Sequence, residues 1–224
     1  MDAHEFLTVY QAKAVEYLLA VAYLALFLPF WRFVSGRSPL AATAPVRREG
    51  WFHLPDGFLL DKGHAWARRE GTLVAVGMDD FAGRLLGAPD ALELPQLGAR
   101  VRAGEPAIGL KLDGHTLSLQ APLDGVVVAA NRAVLDQPAL ASSDPYGRGW
   151  LVKLRPTNLR EDLVRLASGD AARNWLDRLA DGLRERLTPL PALALQDGGR
   201  PVPGLARAID PEHWVEIATE YLEG

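Results

Sequence analysis

IGLKLDGHTLSL, residues 108–119, predicts a β-hairpin, because apolar residues alternate with small or polar ones on both sides of a central Asp-Gly pair. Asp113 and Gly114 suit the two central positions of a type I′ turn, in which both residues need positive φ and the turn follows the twist of a hairpin. The register that this turn predicts pairs Leu112 with His115, Lys111 with Thr116, Leu110 with Leu117 and Ile108 with Leu119. One face of the hairpin is then apolar and the other is small or polar, as a half-buried hairpin requires.

The sequence on either side of the hairpin has the texture of a small all-β domain. Between residues 51 and 156, short apolar runs are punctuated by Gly, Pro and Asp. One segment differs, because residues 79–86 place Phe81 and Leu85 at helical spacing and Gly87 follows as a stop. The candidate strands are residues 57–60, 64–69, 72–76, 106–112, 115–120, 125–130 and 149–154.

The composition excludes several classes of function. Of 224 residues, 49% are hydrophobic, and the net charge of −4 gives no basic footprint for nucleic acid. The chain has no cysteine, and its five histidines include no pair at the i, i+4 spacing of a helical metal site, so we expect no metal. Asp79 and Asp80 begin a helix, where carboxylates favour the positive end of the dipole. No nucleophile, acid–base pair, phosphate loop or small-molecule site is evident, and we predict no catalytic residue.

Residues 14–34, AVEYLLAVAYLALFLPFWRFV, predict one N-terminal transmembrane helix. The run carries charge only at Glu16 and Arg32, near its ends, and at 1.5 Å per residue it matches a bilayer core of roughly 30 Å. A buried helix of the soluble domain and a secretory signal are the alternatives. The long, acidic stretch before the run argues against a signal.

Basic residues around this run predict its orientation. Lys13 is the basic residue that precedes it, whereas four arginines lie at its end or follow it, so the positive-inside rule puts the N-terminus outside and the soluble body in the cytoplasm. The four are Arg32, Arg37, Arg47 and Arg48. We therefore expect a single-pass inner-membrane protein, with residues 1–35 as the N-terminal segment and anchor and residues 36–49 as a proline-containing linker.

The C-terminal region predicts helices. Residues 157–188 form an amphipathic helical segment whose apolar stripe can pack on the β domain or bind a partner. The stripe is Trp175, Leu176, Leu179, Leu183 and Leu187. Residues 189–224 predict a hairpin turned at residues 197–199, followed by a last helix that Asp210 caps, with an apolar edge of Trp214, Ile217 and Tyr221.

Several motifs between His64 and Lys153 carry a family resemblance. They are His64-Ala-Trp66, Val76-Gly-Met-Asp-Asp-Phe-Ala82, Leu92-Glu-Leu-Pro95, Gly98, Gly104-Glu105, Ala121-Pro-Leu-Asp-Gly125, Asn131 and Asp144-Pro-Tyr-Gly-Arg-Gly-Trp150. In this order they resemble the H protein of the glycine cleavage system, over about 105 residues. The resemblance implies that residues 50–156 are a mainly β barrel-sandwich hybrid of the lipoyl and biotinyl carrier type. Most of the motif residues are also explained as core or turn residues, for example Trp66 on a strand.

The resemblance also implies a lysine at the hairpin tip that carries lipoate and shuttles an aminomethyl group. A gapless count from Gly104 to Gly125 puts that position on Gly114, which has no amine to acylate. Three residues earlier, where the family has an acidic residue, this chain has Lys111. We therefore expect no cofactor-binding residue and no cofactor, with lipoate on Lys111 as the alternative.

Three hypotheses of function follow. The first is a non-catalytic, non-lipoylated H-protein-like subunit that acts as a scaffold or interaction module in a membrane-associated complex, such as a redox complex, with unidentified protein partners. The second is a lipoyl carrier modified on Lys111 that serves a membrane-bound oxidoreductase or decarboxylase. The third is a periplasmic adaptor of an export pump, although such adaptors carry a long coiled coil and have their soluble part outside.

Overall fold

The computed structural model describes residues 17–19, 21–27, 50–187 and 201–223, and the chain divides into two compact units, residues 1–47 and 48–224. Each unit is described by itself. In the first unit, the described residues 17–19 and 21–27 are helical. All other elements belong to the second unit.

The prediction of a transmembrane helix over residues 14–34, and with it the single-pass inner-membrane location and its orientation, is wrong. Among the residues that the structure describes, no helix is both long and apolar enough to cross a bilayer. The rest of the predicted span, and the linker at residues 36–49, lie outside the described residues.

The second unit begins with strands and ends with helices. Its strands are β1 (Leu59–Leu60), β2 (Ala65–Glu70), β3 (Leu73–Met78), β4 (Ala91–Glu93), β5 (Arg100–Val101), β6 (Pro106–Leu112), β7 (His115–Gln120), β8 (Gly125–Ala130), β9 (Val152–Pro156) and β10 (Ala167–Ser168). Its helices are α1 (Asp80–Leu86), α2 (Arg132–Asp136), α3 (Leu140–Ser143), α4 (Leu159–Arg165), α5 (Gly169–Leu187), α6 (Leu205–Ile209) and α7 (Trp214–Leu222). The predicted β body and C-terminal helices are confirmed.

The strands form two antiparallel sheets. One has seven strands in the order β10-β1-β2-β3-β9-β8-β5, and the other has three in the order β4-β6-β7. The hairpin of β6 and β7 has the predicted register at all four pairs, from Leu112 opposite His115 to Ile108 opposite Leu119. The inner faces of the sheets bury a common core whose largest wholly buried side chains include Trp66, Phe81 and Leu110.

Trp66 is a core residue, as its position on a strand predicts. Its ring is fully buried, its Nε1 donates a hydrogen bond to the carbonyl of Pro145 at 3.1 Å, and Phe58 meets it edge-on at 5.0 Å between ring centroids. The indole also fills the space where Gly77 would carry a side chain, since a Cβ there would lie 2.5 Å from the ring. Gly77 on β3 is therefore required by close packing.

The apolar stripe of α5 packs within this unit rather than standing free. Leu176, Leu183 and Leu187 are buried, and Trp175 and Leu179 pack partly buried against the same core. Of two further expectations near the C-terminus, one is not tested and the other differs from the structure. The predicted turn at residues 197–199 lies outside the described residues. Asp210 does not cap α7; its Oδ1 instead accepts the backbone N–H groups of Glu212 and His213 in the turn that precedes the helix.

Candidate functional site: the hairpin tip

The tip of the β6–β7 hairpin is the type I′ turn that the Asp-Gly pair predicts. Asp113 has φ of 48° and Gly114 has φ of 79°, both in the left-handed region. Glycine adopts this conformation without the steric cost that a Cβ brings. Among the described residues, no atom beyond the neighbouring residues of the turn would lie within 4 Å of a Cβ on Gly114, and the glycine is exposed.

The two faces of the hairpin are as predicted. Ile108, Leu110, Leu117 and Leu119 are buried, each with 5% exposure or less, whereas Lys111, Thr116 and Ser118 are exposed. The apolar face contributes to the core between the two sheets, which holds the hairpin in one register. The tip is thus presented from a rigid base.

Lys111 lies on the exposed face of β6, three residues before the tip glycine. Its Nζ is 2.6 Å from Oε1 of Glu93, and the side chain is 47% exposed. Glu93 lies on the neighbouring strand β4 opposite Gly109. Because both partners are largely in solvent, this ion pair is weak. It explains the lysine as one half of a cross-strand charge pair on a polar sheet face.

Asp113 is held by groups from outside the hairpin. Its backbone N–H donates to Oδ2 of Asp90 at 2.7 Å. Its own Oδ2 lies 2.5 Å from Nε of Arg207 on α6. The two groups form an ion pair, but their orientation does not allow a hydrogen bond between them. The contact of Arg207 could not be predicted from the sequence, because this residue is far from the tip along the chain and no local pattern marks it. The C-terminal region therefore reaches the tip.

Arg207 joins three parts of the molecule at this point. Its Nη1 donates to the carbonyl of Leu86, in the last turn of α1, at 2.9 Å. Its guanidinium lies 4.5 Å from the ring centroid of Trp214 on α7, in cation–π range. Trp214 in turn meets His115, the first residue of β7, edge-on at 5.6 Å. Both residues that flank Gly114 thus contact the C-terminal helices, Asp113 through Arg207 on α6 and His115 through Trp214 on α7.

A second group of ionisable side chains lies in the core at the start of α1. Nδ1 of His64 is 2.8 Å from Oδ2 of Asp79, and Asp79 also caps α1 by accepting the N–H of Ala82. The hydroxyl of Tyr146 accepts the N–H of Asp80 at 3.2 Å, and burial, followed by the charge of Asp79, raises the pKa of Tyr146 above its ordinary range. These contacts are internal and structural. In the described ranges, no group of three or more acidic or histidine side chains is placed to hold a metal ion.

The loop of residues 144–150, DPYGRGW, is a structural motif here. Asn131 Nδ2 donates to the carbonyls of Arg148 and Trp150, at 2.7 Å and 2.6 Å. A Cβ on Gly149 would lie 2.3 Å from the carbonyl of Leu140, so the backbone passes too closely for any other residue. Packing and backbone hydrogen bonds thus explain why these residues occur in this loop.

The residues at the tip do not fit a lipoyl group. Lipoate is attached through an amide to a lysine Nζ, and Gly114 at the tip has no side chain. The lysine nearest to it in the hairpin, Lys111, projects from the sheet face and is paired with Glu93. No step of a reaction is therefore assigned to that group in this chain.

Comparisons with known proteins agree with the resemblance. The model of the family described as glycine cleavage H-protein matches residues 59–178. A probable glycine cleavage system H protein from Thermococcus gammatolerans is 34% identical over 132 residues, which are 58% of this chain and 97% of that protein. The glycine cleavage system H protein of Legionella pneumophila is 39% identical over 111 residues, 50% of this chain and 88% of that protein. A crystal structure of the H protein from Mycobacterium marinum aligns with a TM-score of 0.48 and 30% identity, covering 54% of this chain and 98% of the other. The chain belongs to the glycine cleavage H-protein family.

Proposed function

We propose that this chain is a non-catalytic, non-lipoylated member of the H-protein family that acts as a scaffold or interaction subunit of a protein complex. The observation that carries the proposal is Gly114, which stands at the solvent-exposed tip of a well-formed hairpin where a carrier needs a lysine. The family normally carries lipoate and is not itself catalytic. The fold of a carrier is kept here while its attachment point is a backbone-only turn.

The surroundings of the tip support a structural role. A carrier's tip has to enter the active sites of other proteins, and this requires both flanks to be free. Here Asp113 is paired with Arg207, and His115 lies against Trp214. Membership of the family also favours this function over that of an export-pump adaptor.

A lipoyl carrier modified on Lys111 is the second candidate, because the Lys111 side chain is 47% exposed and so within reach of an enzyme. Against it, the amine is paired with Glu93, and the flanking Leu110 and Leu112 are buried with 0% and 1% exposure. A modifying enzyme would have to recognise a lysine within strand β6 rather than one in the turn.

Intact-mass measurement of the chain purified from its own cells tests the two candidates. We expect the mass of the unmodified polypeptide. A mass increase of one lipoyl group, mapped by peptide sequencing to Lys111 and absent from the K111R variant, would instead establish the carrier. The H protein of Legionella pneumophila, treated in vitro with lipoate, ATP and a lipoate ligase, serves as the positive control for detecting a lipoyl group by mass.

The interaction role requires a partner. The chain, tagged at its native locus and purified without crosslinking, should migrate in a complex larger than its own 24.4 kDa, with a second protein in fixed stoichiometry. A solitary monomer at all protein concentrations tested would contradict the scaffold role. The experiment does not depend on the modification state of Lys111, so the two parts of the proposal fail separately.

A further inference from the structure

The C-terminal segment, residues 201–222, is anchored along one flank of the carrier hairpin. The anchorage begins at α1, where Nη1 of Arg84 donates to the carbonyl of Pro201 at 3.1 Å and the carbonyl of Arg84 accepts the N–H of Gly204 at 2.8 Å. A Cβ on Gly87 would lie 3.3 Å from the nitrogen of Gly204, so the two backbones are in close contact. The segment therefore starts from a fixed point beside the hairpin.

From that point the segment passes the tip itself. Arg207 pairs with Asp113, one residue before Gly114, and Trp214 packs on His115, one residue after it. Trp214 is 6% exposed and Leu205 is wholly buried, so apolar burial holds the segment in addition to the ion pair. Burial of this kind contributes far more than a partly exposed charge pair does.

The far end of the segment is fixed as well. Tyr221 lies 5.2 Å from the ring of Phe81, and both guanidinium Nη atoms of Arg186 on α5 donate to the carboxylate of Glu220. Helix α7 lies against the edge strand β7, where Leu222 is buried with 1% exposure. The flank of the hairpin that β7 would otherwise expose is thus occupied by the same chain.

We propose that residues 201–222 act as an intramolecular clamp on the hairpin flank, which excludes proteins that grip a carrier hairpin from both sides, the lipoate-attaching enzymes above all. This inference rests on the proposed function, because it supplies a second reason why the chain is not a carrier. The clamp covers β7 and engages the residues on both sides of Gly114, so an enzyme can seat the hairpin only after it displaces α6 and α7. Absence of the lysine and closure by the clamp are separate features.

The test restores the amine and then weakens the clamp. The G114K variant of the full chain is incubated with lipoate, ATP and an ATP-dependent lipoate ligase. In this reaction ATP activates the lipoate carboxyl as its adenylate with release of pyrophosphate, and the lysine amine then forms the amide, releasing AMP and a proton. We expect G114K to be modified at least roughly tenfold more slowly than G114K/R207A/W214A, a rate ratio that corresponds to about 1.4 kcal/mol of clamp displacement.

A matched variant controls for the loss of an arginine. G114K/R173A removes an ion pair with Asp56 and Asp170 that is remote from the tip, and should be modified as slowly as G114K. Equal rates for G114K and the triple variant, whether fast or absent, overturn the clamp. The rates of these variants do not bear on whether the native chain is modified. The intact-mass measurement tests the proposed function separately.

Hydrogen exchange tests the clamp without any change at the tip. R207Q is made in the chain that keeps Gly114. Glutamine removes the positive charge but retains part of the aliphatic side chain, so the variant should still fold. We expect the amides of residues 112–115 to exchange at least roughly tenfold faster in R207Q than in R173Q, because tip opening needs the clamp to be released. Unchanged exchange in R207Q would contradict the inference.

Discussion

Nδ1 of His64 lies 2.8 Å from Oδ2 of Asp79, and the two side chains are 1% and 0% exposed. His64 has φ of 63°, a left-handed conformation that is uncommon outside glycine. Its ring stacks between Phe81 at 4.2 Å and Trp175 at 4.9 Å. The hydrogen bond between His64 and Asp79 thus joins three features of the fold. It holds His64 in its strained conformation before β2, it connects His64 to the start of α1, and it orients the ring that contacts Trp175 on α5.

Removal of the Asp79 carboxylate should destabilise the fold strongly. D79A leaves buried His64 without its partner and removes the N-cap of α1, so the free energy of unfolding should fall by about 2–4 kcal/mol. D79N keeps an oxygen for the cap and should fall by less. Urea unfolding followed by circular dichroism measures both. The control D56N changes an exposed carboxylate, and a D79A effect no larger than that of D56N would disprove the role of the pair.

Two glycine-to-alanine substitutions should have opposite effects on stability. A Cβ on Gly77 would lie 2.5 Å from the buried ring of Trp66, so G77A should destabilise by about 1–3 kcal/mol through overpacking. Gly182 lies within α5, and among the described residues no atom outside the helix's own backbone lies within 4 Å of a Cβ there, so G182A should stabilise by about 0.5–1 kcal/mol because alanine loses less backbone entropy in a helix. Thermal unfolding of the two variants checks the signs. A shift of both in the same direction would contradict this account.

The hairpin could be predicted from the sequence because its determinants are local. The turn needs two residues that tolerate positive φ, and the register follows from alternation within twelve residues, so β6 and β7 have the predicted bounds. The helix over residues 79–86 was predicted for the same reason. The shortest elements were not predicted: residues 132–143 hold two brief helices, and residues 167–168, inside the segment predicted to be helical, form strand β10, which pairs with β1. Segments of two to five residues carry no period that a sequence pattern can reveal.

The tertiary part of the candidate site could not be predicted. Arg207 and Asp113 meet only because α6 packs at the end of α1, and no spacing in the sequence records that approach. The transmembrane prediction used the length, hydropathy and flanking charges of residues 14–34, and it is overturned because no described helix is both long and apolar enough to cross a bilayer. The absent tip lysine was visible in the sequence only through the family resemblance.

The carboxylate of Glu70 should titrate below its ordinary range. Its pKa is lowered first by the hydrogen bond from Lys153, whose Nζ is 2.7 Å from Oε2, and then by that from Arg68. A lowered folded-state pKa contributes stability that is present above the unfolded value of 4.5 and is lost as pH falls through the folded pKa. NMR titration should place the midpoint of Glu70 below 4.5, and K153M should move it upward. R69M, which changes an arginine that contacts the carbonyl of Gly71, should leave it almost unchanged. A wild-type midpoint at or above 4.5 would be the contrary result.

Stability should fall at high pH through Tyr146. Burial raises the pKa of Tyr146, and the nearby charge of Asp79 adds to the rise, so the phenol stays protonated in the folded state. Above the ordinary pKa of 10.0, the unfolded chain releases this proton and the folded chain does not, so stability is lost as pH rises further. One proton limits the slope to about 1.4 kcal/mol per pH unit.

Y146F should lose less stability than wild type between about pH 9 and pH 11, although it starts lower because the N–H of Asp80 loses its acceptor. All other side chains are the same in both proteins, so the difference between the two curves isolates Tyr146. Parallel curves across this interval would show that the phenol ionises equally well in the folded chain.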